Sequence, residues 1–171
     1  MNYRDLENCG KETIKCLVCS HFCELSDQQA GKCKVRKNEN GAIKSMVYGK
    51  VAAVSVDPVE REQFYHVLPS SFSYVAAPDG CNLTCPFCGT YESRKLTKRN
   101  DKIDMTPEEV VNDAIEYGCS SITYGYSEPT VYIEYVLDTA EIARDKGLKN
   151  LFSTNGFMTD ILIKKMTGLI D

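Results

Sequence analysis

From residue 106 onward, short apolar runs alternate with stretches in which apolar positions recur at helical spacing. Thr106-Pro107-Glu108-Glu109 is a capping box with proline at the first helical position, and Val110, Val111, Ala114 and Ile115 then share one face until Gly118 stops the turn. Ser121–Tyr124 reads as a strand. Thr130–Lys146 predicts a second amphipathic helix through Ile133, Val136, Leu137, Ala140 and Ala143, ended by Gly147. Asn150–Ser153 is the next strand, Thr159 opens a third helix bearing Ile161, Leu162 and Met166, and Gly168-Leu169-Ile170 reads as the start of a further strand. Upstream, the run Ser71–Ala77 is closed by Pro78-Asp79-Gly80, the composition of a buried strand leading into a tight turn. Strands alternating with helices predict right-handed βαβ units, a parallel sheet and functional loops at the C-terminal strand ends.

Residues 1–70 read differently. They are rich in cysteine and charge and lack sustained periodicity, apart from a strand pair around Gly41–Val56. The expected fold is therefore α/β: a partial (β/α) barrel of about three β/α units over residues 71–171, preceded by a small cysteine-rich metal-binding module over residues 1–70. Three units cannot close a barrel, so the sequence points to a truncated or split protein, or else to a minimal open sheet that dimerises.

Composition narrows the function classes. The 171 residues are 43% hydrophobic and 26% charged with a formal net charge of -4, so no global basic surface is available for a phosphate backbone or an anionic membrane. The basic run Lys32, Lys34, Arg36 and Lys37 offers a metal-ribbon protein that binds nucleic acid as a third reading, against which the acidic total argues. The first residues carry neither an apolar signal core nor a membrane-spanning run, and the expected location is cytoplasmic. A reducing cytosol does not leave most of nine cysteines as disulfides, and eight of them fall in the first 90 residues, so metal binding is the leading explanation.

Cys81, Cys85 and Cys88 have the spacing C-x3-C-x2-C directly after the predicted turn. Three thiolates can hold three irons of a cubane and leave the fourth without a protein ligand. That open corner suits the amino and carboxylate groups of S-adenosylmethionine, whose sulfonium would then lie beside the [4Fe–4S] cluster for one-electron cleavage. Three packed thiols or a zinc knuckle is the plainer alternative, but zinc wants a fourth ligand, and Gly89–Asn100 contains neither Cys nor His.

At these residues the chain resembles the radical SAM superfamily, whose signature is this triplet with an aromatic, here Phe87, before the last cysteine. The resemblance implies a radical SAM (β/α) barrel and assigns Phe87 to the adenine contact. It aligns Gly125-Tyr126-Ser127-Glu128-Pro129, about 40 residues on, with the family's GGEP segment, making Ser127 and Glu128 ligands of the cofactor's amino group. Ser153-Thr154-Asn155-Gly156 looks like the family's DTNG-type segment, which brings Ser153 and Asn155 to the cofactor cleft, although an Asn-Gly turn explains it equally well. The segments CLVCSHFC, GKCKVRKNENG, DPVEREQFYHVLP and GCNLTCPFC resemble the AmmeMemoRadiSam-system radical SAM enzymes, which are related to pyruvate formate-lyase activating enzymes. Members of that subfamily are about twice as long, so the likeness covers their N-terminal half, and Gly89-Thr90 stands where they usually carry Gln-Asn. The resemblance implies an oxidoreductase that forms a 5′-deoxyadenosyl radical for hydrogen abstraction. Its partners would be a reductant such as flavodoxin or ferredoxin, a protein or small-molecule substrate, and a C-terminal partner chain if the barrel is split; neither nucleic acid nor membrane is expected. The alternative is a non-catalytic half that holds cluster and cofactor only.

Two further features complete the reading. Cys16, Cys19, Cys23 and Cys33 supply four thiols within 18 residues, enough for a closed site for structural zinc or, alternatively, for a second iron–sulfur cluster. Cys9 and Cys119 fit neither group. His66, beside Tyr65 and after Asp57-Pro58, is a candidate for proton transfer or for lining the substrate entrance; a packed histidine with a satisfied nitrogen is the simpler reading.

Overall fold

The computed structural model describes residues 13–89 and 102–171. Cys9 and Thr90 lie outside them. The strands, in chain order, are β1 (Thr13–Lys15), β2 (Glu24–Ser26), β3 (Arg36–Glu39), β4 (Ala42–Ser45), β5 (Lys50–Pro58), β6 (Phe72–Pro78), β7 (Ile103–Asp104), β8 (Ser121–Tyr124) and β9 (Lys149–Phe152). The helices are α1 (Pro107–Glu116), α2 (Ile133–Asp145) and α3 (Asp160–Met166), with 3₁₀ turns at Val59–Glu62 and Pro129–Tyr132.

A mixed five-stranded sheet in the order β7-β5-β6-β8-β9 forms the centre. Its β6, β8 and β9 are mutually parallel, and α1, α2 and α3 follow them in turn, as the alternation predicted. The all-parallel expectation is corrected at one edge, where β5 runs antiparallel to β6 from Pro58↔Phe72 to Val51↔Pro78 and β7 pairs antiparallel with β5. The expected strand pair over Gly41–Val56 is likewise corrected. Asn40 and Gly41, both at positive φ, make a two-residue turn that pairs β4 back onto β3, while β5 joins the central sheet.

Successive residues of a strand point to opposite faces, which decides what packs where. On one face, Tyr74 and Ala76 of β6 with Ile122 and Tyr124 of β8 share an apolar core with Val110, Val111 and Ala114 of α1 and Val136, Ala140 and Ala143 of α2. Tyr74 also donates to Asp113 of α1 at 2.9 Å. The other face carries buried small and polar groups, with the Ser73 and Thr123 hydroxyls 2.7 Å apart. The capping box at Thr106 forms in both directions. Two positions depart from the helical-face reading: Ile115 is 47% exposed and Ile161 is 42% exposed, because each lies beyond the stripe its helix buries. Gly168–Ile170 forms no strand; Asp171 and Asn150 instead exchange backbone and side-chain hydrogen bonds beside β9.

The cysteine-rich segment docks against α2 and against the loop after β9. Arg36, 4% exposed, makes a forked ion pair with Glu134 at 2.5 and 2.7 Å and donates to the Val131 carbonyl at 3.2 Å. This corrects the basic-run reading, since one of its four cations is buried in an internal pair. Thr159, the N-cap of α3, donates through its hydroxyl to the Leu17 carbonyl at 2.7 Å. Among the described residues no helix is long and apolar enough to cross a membrane.

Candidate cofactor site at the strand ends

Three parallel strands deliver three loops to one place. After β6, the chain turns at Gly80, whose φ of +117° suits glycine and whose missing side chain matters twice over: a β-carbon there would lie 2.6 Å from Val35 and 3.1 Å from Val131. Cys81 follows at once. After β8 come Gly125–Glu128, and after β9 come Ser153–Gly156, with Tyr124 and Phe152 in register so that the two loops start side by side.

These loops enclose a cleft of 630 Å³, within the size range of small-molecule sites. Cys81, Cys85, Phe87 and Cys88 line it from the first loop, Tyr126, Ser127 and Glu128 from the second, and Ser153, Thr154 and Asn155 from the third; Arg61, Glu62 and Gln63 complete the wall. The residues read from the sequence as cluster and cofactor ligands are therefore brought together. His66 is not among the lining residues and is exposed.

Local contacts give each group its task. Phe87 is 86% exposed and lines the cleft. The Cys81 sulfur accepts from the Leu83 N–H at 3.4 Å and from the Asn155 side-chain amide at 3.8 Å, and the Cys88 N–H donates to the Cys85 carbonyl at 3.3 Å. Ser127 donates through its hydroxyl to the Pro78 carbonyl, tying the second loop to the end of β6. Glu128 is a buried carboxylate. It is 3% exposed, with Oε1 accepting from the Thr130 N–H at 3.1 Å, the Thr130 hydroxyl at 2.5 Å and the Thr154 hydroxyl at 2.6 Å, and Oε2 accepting from the Asn155 N–H at 2.8 Å. Oε1 is saturated, so the carboxylate is first a strut between the second and third loops, and only Oε2 retains a lone pair for a further donor.

The cleft-lining Glu62 has a second carboxylate, Asp57, near it. Tyr126, held at φ +61°, donates to Asp57 Oδ2 at 2.7 Å, and Ser55 and Arg61 donate to the same carboxylate at 2.6 and 2.7 Å. Burial pushes Asp57 up, but the Ser55 and Tyr126 hydrogen bonds and the Arg61 charge outweigh it and hold it below the usual carboxylate range. Glu62 ends with the opposite net shift: burial pushes it above its ordinary value, and the Asp57 charge adds to the effect. Gly125 leaves room for this group: a β-carbon there would lie 3.1 Å from Ser153 and 3.6 Å from the Glu62 carboxylate. Sequence reading missed Glu62, Tyr126 and Thr154. The run Glu60-Arg61-Glu62 was visible, but nothing in it says that the chain after β5 returns to the strand ends.

The N-terminal thiols gather in a second place. The Cys16 N–H donates to the Cys23 carbonyl at 2.8 Å and the Phe22 N–H to the Cys19 carbonyl at 3.1 Å, forming one knuckle; Lys34 N–H to Gly31 O at 2.9 Å forms the other around Cys33. A β-carbon on Gly31 would touch the Cys23 sulfur at 3.6 Å. Burial pushes the Cys19 and Cys33 thiols up, and Cys16 lies near enough to both to add to it. Cys119 is a buried thiol at 6% exposure, also pushed up by burial.

Among the described residues, no three His, Cys, Asp or Glu side chains converge as a single ion would require. A zinc–sulfur bond of about 2.3 Å demands sulfurs within about 4 Å of one another. Cys81, Cys85 and Cys88 share one open cleft, with the Leu83 N–H and the Asn155 amide directed at the Cys81 sulfur.

An α/β sheet with a thiol-lined cleft at its parallel strand ends has the (β/α) arrangement, in which functional sites lie at the C-terminal ends of the strands. The chain belongs to the radical SAM superfamily: that family's model matches residues 76–170. It is similar to an uncharacterized protein of Methanocaldococcus jannaschii, at 36% identity over 155 residues, 89% of this chain and 46% of the relative. A second protein of that organism, named as a glycyl-radical enzyme activating enzyme, is 28% identical over 120 residues, 70% of this chain and 44% of that protein. The chain thus spans less than half the length of both relatives.

Proposed function

We propose that Cys81, Cys85 and Cys88 hold a [4Fe–4S] cluster and that S-adenosylmethionine occupies the adjoining cleft. When bound, the pair supplies reductive cleavage of the sulfonium to methionine and a 5′-deoxyadenosyl radical, the electron coming from a reductant such as flavodoxin or ferredoxin. The chain's own residues then act as holders. Phe87 offers its face to the adenine, the remaining lone pair of Glu128 Oε2 and the Ser127 segment receive the cofactor's ammonium, and Ser153 and Asn155 border the same space. The observation that carries this reading is the convergence of three strand-end loops, far apart in sequence, on one cleft that contains the three thiols.

The activating-enzyme reading rests on the relative that bears that name and extends to hydrogen abstraction from a protein or small-molecule substrate. Cytoplasmic location follows from the same chemistry, which needs a reducing compartment. For the N-terminal module we propose structural zinc on Cys16, Cys19, Cys23 and Cys33, whose side chains would draw together on binding the metal, with a second cluster as the alternative; iron and zinc counting separates them. His66 keeps its proposed role at a substrate entrance only if His66→Ala lowers turnover without changing cofactor cleavage.

Anaerobic reconstitution of the 171-residue chain, reduction, and assay of 5′-deoxyadenosine tests the function directly. Its formation supports a radical SAM enzyme. A stable cluster without cleavage would instead mean a module that turns over only with a partner chain, and no cluster at all would overturn the proposal.

A further inference from the structure

The two thiol regions are joined by an unbroken chain of hydrogen bonds. His21, in the knuckle between Cys19 and Cys23, places Nε2 2.7 Å from the carbonyl of Asn82, the residue after Cys81. Lys32 Nζ lies 3.4 Å from His21 Nδ1; an ammonium only donates, so Nδ1 accepts and Nε2 carries the proton given to Asn82. The ring also packs edge-on against Phe157, centroids 4.8 Å apart.

Asn82 is 4% exposed and fully engaged. Its amide donates to the Phe157 carbonyl at 2.9 Å, and its Oδ1 accepts from the Asn155 amide at 2.8 Å. The Asn155 amide has two hydrogens; with one directed to Asn82, the other points to the Cys81 sulfur. Asn155 Oδ1 accepts from the Phe157 N–H at 2.9 Å, which fixes the amide's orientation. An N–H aimed at a thiolate ligand stabilises the extra negative charge that reduction puts on a cluster, and so raises its potential.

We propose that Asn82 is a positioning residue through which His21 of the N-terminal module holds the Asn155 amide on Cys81 and thereby raises the reduction potential of the cluster. This rests on the reading of Cys81, Cys85 and Cys88 as cluster ligands. The module is then a regulator of the redox site as well as a neighbour packed against it. Loss of His21 frees the Asn82 carbonyl, loosens Asn82 and lets the Asn155 amide leave the sulfur. A glutamine at position 21 places an N–H at a similar reach and restores the chain.

The test compares wild type, His21→Ala, His21→Gln and Asn82→Ala as reconstituted full chains, matched for cluster content. Midpoint potentials come from redox titration followed by electron paramagnetic resonance. The expected result is a more negative midpoint in His21→Ala, a larger negative shift in Asn82→Ala, and a wild-type value in His21→Gln. Equal midpoints in wild type and His21→Ala overturn the inference while leaving the cluster assignment standing. Failure of the wild-type chain to take up a cluster overturns both. A purely structural role would lower the melting temperature without moving the potential, and His21→Ala decides the matter even if Asn82→Ala does not fold.

Discussion

The two cysteine groups are built from similar spacings and end in opposite environments. Cys16, Cys19, Cys23 and Cys33 sit in knuckles closed by their own backbone, and burial pushes the Cys19 and Cys33 thiols up. Cys81, Cys85 and Cys88 hang on a loop at the end of a parallel strand, half-buried, facing a cleft of 630 Å³ together with groups from two other strand ends. The difference teaches that thiol count alone does not define a redox site. A closed set suits a metal that holds the fold, whereas an open set beside a cleft leaves room for a second ligand.

Exchange of thiols should break this contrast most sharply. Cys85→Ala is expected to abolish the iron–sulfur absorbance of reconstituted protein, while Cys23→Ser should leave that absorbance and lower thermal stability; visible spectra with melting curves check both. Next in size is the seam between the regions. Arg36→Ala leaves the half-buried Glu134 carboxylate without its partner and is expected to cost about 3 kcal/mol by denaturant unfolding. Glu128→Gln should be milder, since the amide oxygen keeps some of the loop contacts. Loss of one charged hydrogen bond to the cofactor, about 1.5–3 kcal/mol, corresponds to roughly 10- to 100-fold weaker S-adenosylmethionine binding by calorimetry.

The smallest effect lies in the pair of carboxylates Asp57 and Glu62. Asp57 is held low in the folded chain, so its stabilisation is present above the ordinary aspartate value and is lost as pH falls through the folded one. Glu62 is held high, so its ionisation costs stability as pH rises from the ordinary glutamate value through the raised one. Asp57→Asn should therefore flatten the acid limb of a melting temperature against pH profile and bring Glu62 back toward its ordinary value by removing the Asp57 charge.

Much of this was legible in the chain. The capping box at Thr106, the apolar stripe through Val110 and Ala143, and the strand ended by Pro78-Asp79-Gly80 are local signals, and local chemistry dictates them. The loops proposed to hold the cofactor were legible through the family resemblance of their short motifs, and they meet because the strands that carry them are parallel and adjacent. What stayed hidden depends on long-range return of the chain. No periodicity says that β5 pairs with β6 rather than with β4, that Glu62 comes back beneath Gly125, or that Arg36 leaves a basic run to find Glu134. Glu128 was found as a residue but not as a strut, because its four donors come from Thr130, Thr154 and Asn155, two of which lie on a different strand end.

Mössbauer spectra of protein reconstituted with ⁵⁷Fe under strict exclusion of oxygen, recorded with and without S-adenosylmethionine, test the central claim most directly. The account predicts a cubane signal in which a single iron site becomes distinct when the cofactor is added, and its loss in Cys81→Ala. A spectrum without a cubane component, or one that the cofactor leaves unchanged, would contradict it.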